Sequence, residues 1–316
     1  MWRLGACVAA CVVCVPLGAQ TARLTSSPAR PLRGAIIQLS LKEESFQSDS
    51  IVSIQGWMAG EPLHFVATSR RTWHAIGGIP VDAPDSVTAR VVMELSSNRI
   101  DTVRVRIRLP PLRVSASRPL AVAPRFTRPL DAETEARVAR ENERARDVGR
   151  QSHARSILWT QSFLRPRASS ITSRFGSGRL FNGKVTSRHL GVDFRGAIGE
   201  PVYAANRGVV ALADAFFLAG NVVYIDHGRG VVTGYFHLSR TTVMAGDTVE
   251  RGQKIGLVGA TGRVTGPHLH WSARYGVLAV NPLDLLVLDS RLYGAAENGQ
   301  PAPSDKRMKQ GDASPR

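Results

Sequence analysis

The sequence predicts a mainly β protein, in which two β-rich domains are joined by a charged helix. Residues 102–109, TVRVRIRL, alternate strictly between apolar and basic side chains, which is typical of a strand with one face in water. Residues 130–155 contain a single glycine, no proline and many Glu and Arg residues. Beyond residue 161, short apolar runs are separated by glycines and show little helical periodicity, which favours strands.

The N-terminal segment, residues 1–19, has the layout of a secretory signal peptide. Arg3 precedes an apolar run at residues 4–17, and small residues suited to cleavage follow it. The run is shorter than the roughly 20 residues that a membrane-spanning helix needs. All three cysteines lie in this segment: Cys7, Cys11 and Cys14. We therefore expect an exported protein of the periplasm or cell envelope whose mature chain contains no disulfide.

The net charge of the chain is +16, from 41 Lys and Arg against 25 Asp and Glu. For an exported protein, acidic polymers outside the membrane are plausible partners of such a charge. Nucleic acid would suit the charge but not the location, so we expect no nucleic-acid partner. A basic composition spread over a solvated surface is the simpler alternative, and it needs no partner.

The first domain, residues 34–115, is expected to be a small immunoglobulin-like β-sandwich. Ile37, Leu39 and Leu41 alternate with polar residues, and turn-forming Gly, Pro and Asp residues follow at short spacing. Within residues 102–109 the arginines would form one basic face in water: Arg104, Arg106 and Arg108. The domain carries no obvious chemistry, and its single histidines are interpreted as packing residues: His64 and His74.

Residues 130–155 are expected to form a linker helix. Asp131 suits the N-cap position. Two pairs at helical spacing would link its turns: Glu133 with Arg137, and Glu143 with Arg146. The segment is polar nearly all round, which predicts a solvated helix, and His153 is given no role.

The second domain, residues 161–292, contains the residues that could carry chemistry. Zinc sites without cysteine are built from His nitrogens and Asp or Glu oxygens. His189 and Asp193 could meet at a point if the chain turned at Gly191. His268 and His270 would lie on the same face of a strand. Each pair alone is weak, and the spacing does not decide which of His268 and His270 would bind a metal.

Four segments of this domain together resemble the lysostaphin/LytM-type zinc endopeptidases, which cut peptidoglycan peptides. They are RFGSGRLFNGKVTSRHLGVDFRGAIGEPVYA, GNVVYIDHGRGVVTGYFHLS, GDTVERGQKIGLVGATGRVTGPHLHW and VNPLDLL. The resemblance implies one Zn²⁺ per chain, bound by His189, Asp193 and His270. It implies that His268 is the catalytic histidine and that His237 is its partner. The segment WHAIGGIPVDAPDSVTARVVM of the first domain more loosely resembles the β-sandwich of some exported members.

Other positions have both a functional and a structural interpretation. Asn182 could bind substrate near the groove, but Asn-Gly also favours a tight turn. Arg188 could meet a peptide carboxylate, or it could be an ordinary exposed arginine. His227 is expected to be structural at a strand end, and Trp271 is expected to point away from His270 into the core.

The resemblance predicts an exported zinc metalloendopeptidase that hydrolyses peptide bonds in peptidoglycan. One alternative is a non-catalytic LytM-like protein that binds the wall or activates an amidase. Another is a basic exported protein that only binds an anionic polymer. The sandwich and helix could also cover the groove, as pro-regions do in some members. Residues 293–316 are expected to be a disordered tail, and the oligomeric state and the bond cut stay open.

Overall fold

A computed structural model describes most of the chain between residues 22 and 293. The described residues are 22–44, 49–111, 118–126, 129–183, 185–289 and Tyr293. The expected signal peptide at residues 1–19 lies outside the described residues, as does the expected tail beyond Tyr293.

The N-terminal half contains eight strands of the sandwich, one strand that follows it and one α-helix. They are β1 (Ala22–Ser27), β2 (Ile36–Glu43), β3 (Ile51–Met58), β4 (Glu61–Leu63), β5 (Val66–Ser69), β6 (Thr72–Gly78), β7 (Ser86–Leu95), β8 (Ile100–Arg108), β9 (Arg118–Leu120) and α1 (Ala132–Ser152). A short 3₁₀ helix, Pro124–Phe126, lies between β9 and α1.

The C-terminal half is built from strands and one 3₁₀ helix, Pro282–Val287. The strands are β10 (Ile171–Ser173), β11 (Gly178–Phe181), β12 (Val185–Arg188), β13 (Val192–Arg195), β14 (Pro201–Tyr203), β15 (Gly208–Phe216), β16 (Gly220–Gly228), β17 (Val231–Thr241), β18 (Thr248–Val249), β19 (Lys254–Val258), β20 (His268–Tyr275) and β21 (Leu278–Val280).

The N-terminal domain is a sandwich of two antiparallel sheets, as predicted. The sheet orders are β1-β2-β6-β5 and β4-β3-β7-β8. Ile37, Leu39 and Leu41 of β2 are fully buried against Val91 and Met93 of the opposite sheet. The first sheet begins before the predicted boundary at residue 34, because β1 pairs along the length of β2.

The alternating apolar and basic side chains of β8 lie on opposite faces of the strand, as predicted. Val103 and Ile107 are buried in the sandwich core. Arg104, Arg106 and Arg108 are exposed on the other face. A strand places successive side chains on opposite faces, so one sequence pattern supplies both the core contacts and the basic surface.

Helix α1 begins at the predicted cap. The side chain of Asp131 accepts a hydrogen bond from the backbone N–H of Thr134 at 2.7 Å, which satisfies one of the free N–H groups of the first turn. Arg137 pairs with Glu141 at 2.7 Å, not with Glu133 as expected. Neither α1 nor any other helix in the described part of the chain is long and apolar enough to cross a membrane.

The prediction of a helix solvated nearly all round is wrong. One stripe of α1 is buried, and it is formed by Glu141, Ala145, Val148 and Ser152. These positions lie on one helical face, and Ala145 and Val148 pack with Val222 and Val232 of the large sheet. Only two apolar side chains of this stripe, Ala145 and Val148, pack on the sheet, so the sequence of the helix looks polar all round.

The C-terminal domain is organised around one large, mainly antiparallel sheet, as predicted. Its main path is β10-β13-β20-β17-β16-β15-β18; β19 pairs with β14 and β17, and β21 pairs with β20. Strand β20 lies between β13 and β17, so residues of this strand reach both neighbours. Trp271 is fully buried, as expected for the face of β20 opposite to His270.

Two aromatic residues at the predicted domain limits belong to the same core. Trp159 precedes the expected start at residue 161, and Tyr293 falls in the expected tail. Both are buried, and their ring centroids lie 5.7 Å apart. The C-terminal core therefore extends beyond residues 161–292 at both ends.

The sandwich packs directly against the C-terminal domain. Ile36 and Ile76 are part of the hydrophobic core of the large sheet. The backbone N–H of Ile36 donates to Asp284 at 2.9 Å, and the N–H of Asn281 donates to the carbonyl of Gly34 at 2.7 Å. The apolar and polar contacts together join the two domains through a shared interface.

Candidate metal centre

Three side chains converge at one end of strands β13 and β20. Asp193 of β13 lies directly opposite His270 of β20 in the antiparallel register. Opposite residues of such a pair share a face, so the register alone brings these two side chains together. His189 joins them from the segment just before β13, where the chain turns at Gly191.

The three donor atoms form a small triangle. Nε2 of His189 lies 2.9 Å from Nδ1 of His270 and 2.9 Å from Oδ1 of Asp193. Nδ1 of His270 lies 2.9 Å from the same carboxylate oxygen. Ligands of a tetrahedral zinc ion lie about 3.3 Å apart, given bonds of about 2.0–2.1 Å. These three side chains, His189, Asp193 and His270, are called the metal-site triad below.

The orientation of His189 is fixed from behind. Its Nδ1 lies 3.0 Å from the carbonyl oxygen of Arg174 and 3.0 Å from Oγ of Ser173. A carbonyl only accepts, so Nδ1 carries the proton and Nε2 presents a lone pair to the triad. Metal-ligating histidines are commonly held by such a hydrogen bond from the second ring nitrogen.

The ring of His270 is confined on two sides. Phe236 stacks on it with a centroid distance of 5.1 Å. A side chain at residue 191 would place its Cβ 2.4 Å from Nε2 of His270, so only glycine fits there. Burial lowers the pKa of His270 to about 4, although Asp193 opposes this effect. The ring is therefore neutral at pH 7, which is the form that binds a metal.

Asp193 is ionised under the same conditions. Burial by itself would raise the pKa of this carboxyl, but its close contacts with His189 and His270 outweigh burial and hold the pKa well below its usual range. Its second oxygen, Oδ2, accepts a charge-assisted hydrogen bond from Arg179 of β11. The triad therefore presents two imidazole nitrogens and one carboxylate.

Two further histidines lie beside the triad. The ring centroids of His237 and His268 are 5.0 Å apart, and that of His237 is 5.9 Å from that of His270. Nδ1–H of His268 donates to the carbonyl of Gly266 at 2.8 Å. Nε2 of His268 is buried without a hydrogen-bond partner, 3.7 Å from Oδ1 of Asp193. An orphaned buried nitrogen near an oxygen of the triad is consistent with a site that a metal and a substrate complete.

His237 is held in an unusual backbone conformation. Its φ is +63°, in the left-handed region that residues other than glycine seldom adopt. Nδ1–H donates to the carbonyl of Thr261 at 2.8 Å, which leaves Nε2 with the lone pair. Burial, and then the nearby rings of His268 and His270, hold the pKa of His237 well below its ordinary value. The strained backbone aims a neutral imidazole towards His268.

The structure favours the turn interpretation of Asn182. This residue has a φ of +48°, and its side-chain amide is engaged by the linker. Oδ1 accepts from the N–H of Val122 at 2.9 Å, and Nδ2 donates to the carbonyl of Val122 at 2.8 Å. Asn182 thus holds the segment that follows β9, which itself pairs in parallel with β11.

Arg188 and His227 lie in different surroundings. Arg188 is exposed and lines a cleft of about 250 Å³ that also contains His189, His237 and His270. Its contact with a substrate stays a prediction. His227 is fully buried, with Nδ1 2.7 Å from the carbonyl of Arg207 and Nε2 2.8 Å from Oγ1 of Thr233. The structural interpretation of His227 is therefore confirmed.

A larger cleft of about 590 Å³ opens beside the metal-site triad. Asp193 and His268 lie on its surface, between β11 on one side and the loop of residues 263–267 on the other. Two residues of these walls, Arg179 and Arg263, were not singled out from the sequence. Arg179 stands two positions before the buried Phe181 on one strand, a spacing that places both on the same face.

A mainly β domain that gathers two histidines and an aspartate, with two more histidines alongside, has the side chains of a metallopeptidase site. Residues 187–282 match the family model described as Peptidase family M23. The C-terminal domain belongs to this family.

Similarity to two curated proteins covers less than half of the chain. The chain is 50% identical over 104 residues to the peptidoglycan DD-endopeptidase ShyA of Vibrio cholerae, which covers 32% of this chain and 24% of ShyA. It is 37% identical over 141 residues to the peptidoglycan DD-endopeptidase ShyC of the same organism, covering 44% of this chain and 32% of ShyC. The chain thus matches about a quarter to a third of these relatives' length.

A solved structure shares the fold over most of the chain. It is a Pseudomonas aeruginosa protein assigned to peptidase M23, with a TM-score of 0.59 and 24% identity. The alignment covers 81% of this chain and 95% of that protein. At this identity the likeness shows the fold alone.

Proposed function

We propose that this protein is an exported zinc metalloendopeptidase that hydrolyses peptide crosslinks of cell-wall peptidoglycan in the periplasm or cell envelope. The observation that carries the proposal is the convergence of the three triad atoms, each 2.9 Å from the other two, in an M23 domain. The substrate class follows from the names of the relatives ShyA and ShyC.

The donor set suits one zinc ion per chain. His189, Asp193 and His270 supply two imidazoles and one carboxylate, a set that leaves Zn²⁺ with a net positive charge and a free coordination position. When bound there, zinc would act as a Lewis acid on the scissile carbonyl. The hydrogen bonds of His189 to Arg174 and of Asp193 to Arg179 keep the ligands in their orientation.

His268 and His237 would handle the protons. Both donate through Nδ1–H to a backbone carbonyl, so both present Nε2 as an acceptor. His268 is the better placed of the two, because its Nε2 lies 3.7 Å from a triad oxygen and has no other partner. It can take one proton of the attacking water and return it to the leaving amine, while Nε2 of His237 accepts a hydrogen bond from the same water and orients it.

A non-catalytic, wall-binding or amidase-activating protein is the competing function. Such a protein needs neither the metal ligands nor two spare imidazoles beside them. The strained backbone of His237 and the unpartnered Nε2 of His268 are costly features that binding alone does not require. These features favour the enzyme.

The test is to purify the mature chain, measure its zinc content by mass spectrometry, and digest defined crosslinked muropeptides. We expect about one zinc per chain and cleavage of the crosslink, with loss of cleavage on chelation and recovery when zinc is restored. His268→Ala should retain zinc and lose cleavage. Full cleavage by metal-free protein would contradict the mechanism, and loss of zinc in His268→Ala would reverse the roles of His268 and His270.

A further inference from the structure

The cleft beside the metal-site triad is strongly basic. Its lining includes one acidic residue, Asp193, and four arginines: Arg174, Arg179, Arg195 and Arg263. Asp193 is a triad member, so its charge would be shared with a metal ion. The cleft therefore carries a positive charge that the protein's own lining residues do not balance, and an anionic ligand would bind there favourably.

Arg263 is a partly buried arginine of this lining, whereas Arg174 and Arg195 are exposed and Arg179 is paired with Asp193. Its guanidinium lies over the ring of Phe181, 4.2 Å from the centroid, and the side chain is partly buried. Among the described residues no carboxylate lies within ion-pair distance of it. Burial, and then the nearby charge of Arg179, lower the pKa of Arg263. A partly buried cation that faces another cation is costly unless an anion pairs with it.

Arg179 links the positive charge of Arg263 to the metal-site triad. Arg179 and Phe181 lie two residues apart on β11, so Arg263, stacked on Phe181, is on the same side of the strand as Arg179. Arg179 in turn contacts Oδ2 of Asp193. Arg179 thus contacts the triad directly, and Arg263 lies beside it on the same side of β11.

A peptide crosslink of the proposed substrate carries an anionic group close to the bond that is cut. In a crosslink between two D-centres, the carbon that bears the scissile nitrogen also bears a free carboxylate. The carboxyl carbon lies within about 3.6 Å of the scissile carbonyl carbon, since a chain advances at most about that distance per residue. A planar guanidinium binds a carboxylate through two parallel hydrogen bonds, which fixes the position of the neighbouring bond.

We propose that Arg263, together with Arg179, forms a subsite for the free carboxylate on the leaving-amine side of the scissile bond. The subsite selects acidic crosslinked peptides over those whose carboxylate is amidated. This inference rests on the proposed function. It differs from the expectation for Arg188, which is exposed and does not line the larger cleft.

The experiment compares two synthetic crosslinked peptides that differ only in this group, one with the free carboxylate and one with a carboxamide. Wild type, Arg263→Gln, Arg263→Lys and the control Arg240→Gln are assayed for kcat, KM and bound zinc. Arg240 is an exposed arginine of the same domain outside the cleft.

We expect wild type to favour the acid over the amide by about 10- to 100-fold in kcat/KM, because a charge-assisted hydrogen bond contributes about 1.5–3 kcal/mol. Arg263→Gln should raise KM for the acid and abolish the preference, with zinc content unchanged. Arg263→Lys should keep part of the preference, since lysine retains the positive charge but cannot form the two parallel hydrogen bonds of a guanidinium. Arg240→Gln should behave as wild type.

Equal use of acid and amide by wild type, which depends on no variant folding, would overturn the subsite. Binding of both peptides to zinc-supplemented His268→Ala is measured by calorimetry as a separate arm. If wild type cleaves neither peptide while His268→Ala binds the acid selectively, the proposed function fails and the subsite stands. If wild type cleaves both peptides equally well, the proposed function stands and the subsite fails.

Discussion

Imidazoles lie beside a buried carboxylate at two places in the described part of this molecule, the metal-site triad and the domain interface. The second group is called the interface cluster and consists of Glu61, His64 and His153. Nε2–H of His64 donates to Nδ1 of His153 at 2.9 Å, and Nε2–H of His153 donates to Oε2 of Glu61 at 2.8 Å. The remaining oxygen of Glu61 accepts from the N–H of Val277 at 3.0 Å.

The two groups differ in how their donor atoms are arranged. In the interface cluster the hydrogen bonds run in sequence from His64 to His153 to Glu61, so the lone pair on Nδ1 of His153 is used by the hydrogen bond from His64. In the metal-site triad three acceptor atoms converge at 2.9 Å from one another. Within the described residues, the triad is the group of His, Asp or Glu side chains that meets the distances of a metal site. Convergence of lone pairs, and not the number of histidines, distinguishes a metal site from a structural network.

The interface cluster joins three parts of the molecule. Glu61 belongs to β4 of the sandwich, His153 caps the end of α1, and Val277 lies between β20 and β21. His153 therefore has a structural role that the sequence did not predict. A Cβ at Gly276 would come within 1.9 Å of Glu61, which shows how closely the two domains approach.

The largest expected difference between the two groups is in metal binding. His270→Ala should lose bound zinc and reduce muropeptide cleavage by more than about 100-fold, since even groups behind the ligands contribute about 10- to 100-fold. His153→Ala should keep its zinc. Mass spectrometry of purified protein and product analysis measure the two effects. Retention of zinc by His270→Ala would remove it from the ligand set.

A smaller effect is expected when the triad is displaced without removing a ligand. Gly191→Ala would bring a Cβ within 2.4 Å of Nε2 of His270 and force the ring to move. We expect zinc affinity to fall by about 10-fold or more, measured by competition with a chelator. Gly266→Ala is the matched control, because nothing lies within 4 Å of a Cβ there. Equal affinities for both variants would show that the ring position is not critical.

The interface cluster is expected to affect stability and not metal binding. Glu61→Gln removes the charge of a buried carboxylate that accepts from His153 and Val277. The free energy of unfolding in urea should fall by about 2 kcal/mol, with zinc content unchanged. Asp85→Asn is the control, since its side chain is 93% exposed and a surface pair contributes at most about 1 kcal/mol. Zinc loss in Glu61→Gln would contradict this separation of roles.

The smallest expected effect concerns pH. Burial, then the nearby His153 and Arg229, lower the pKa of His64 to about 4 from an ordinary value of 6.5. The folded state therefore favours the neutral ring. Its contribution to stability is complete above pH 6.5 and is lost as the pH falls towards 4.

The measurement compares wild type with His64→Gln in chelator, by urea unfolding at pH 7 and pH 5. Other histidines, His227 among them, titrate in both proteins and cancel in the comparison. The charged or titratable groups near His64 that also remain in both are Glu61, His153, Arg229 and Tyr275. Wild type should lose more stability than His64→Gln between the two pH values. Parallel losses would show that His64 does not titrate abnormally.

Much of the sheet architecture could be predicted, because it depends on local patterns. The alternation at β2 and β8 specifies which side chains enter the sandwich core, whatever the partner sheet is. Asp131 caps α1 through a contact within the first turn, and this too is local. The buried stripe of α1 was missed, since Ala145 and Val148 become apolar contacts only when the large sheet lies against them.

The sequence by itself predicted the two-domain β organisation and, through the resemblance of its motifs to a known family, the five side chains expected at the site: His189, Asp193, His237, His268 and His270. Periodicity and motif spacing are properties of short segments, so they can be read before the chain is folded. Only the tertiary structure decided that Arg263 stacks on Phe181 beside Arg179, and that His153 meets Glu61. Those contacts join residues 82 to 92 positions apart, and long-range contacts of this kind depend on how whole sheets and domains pack.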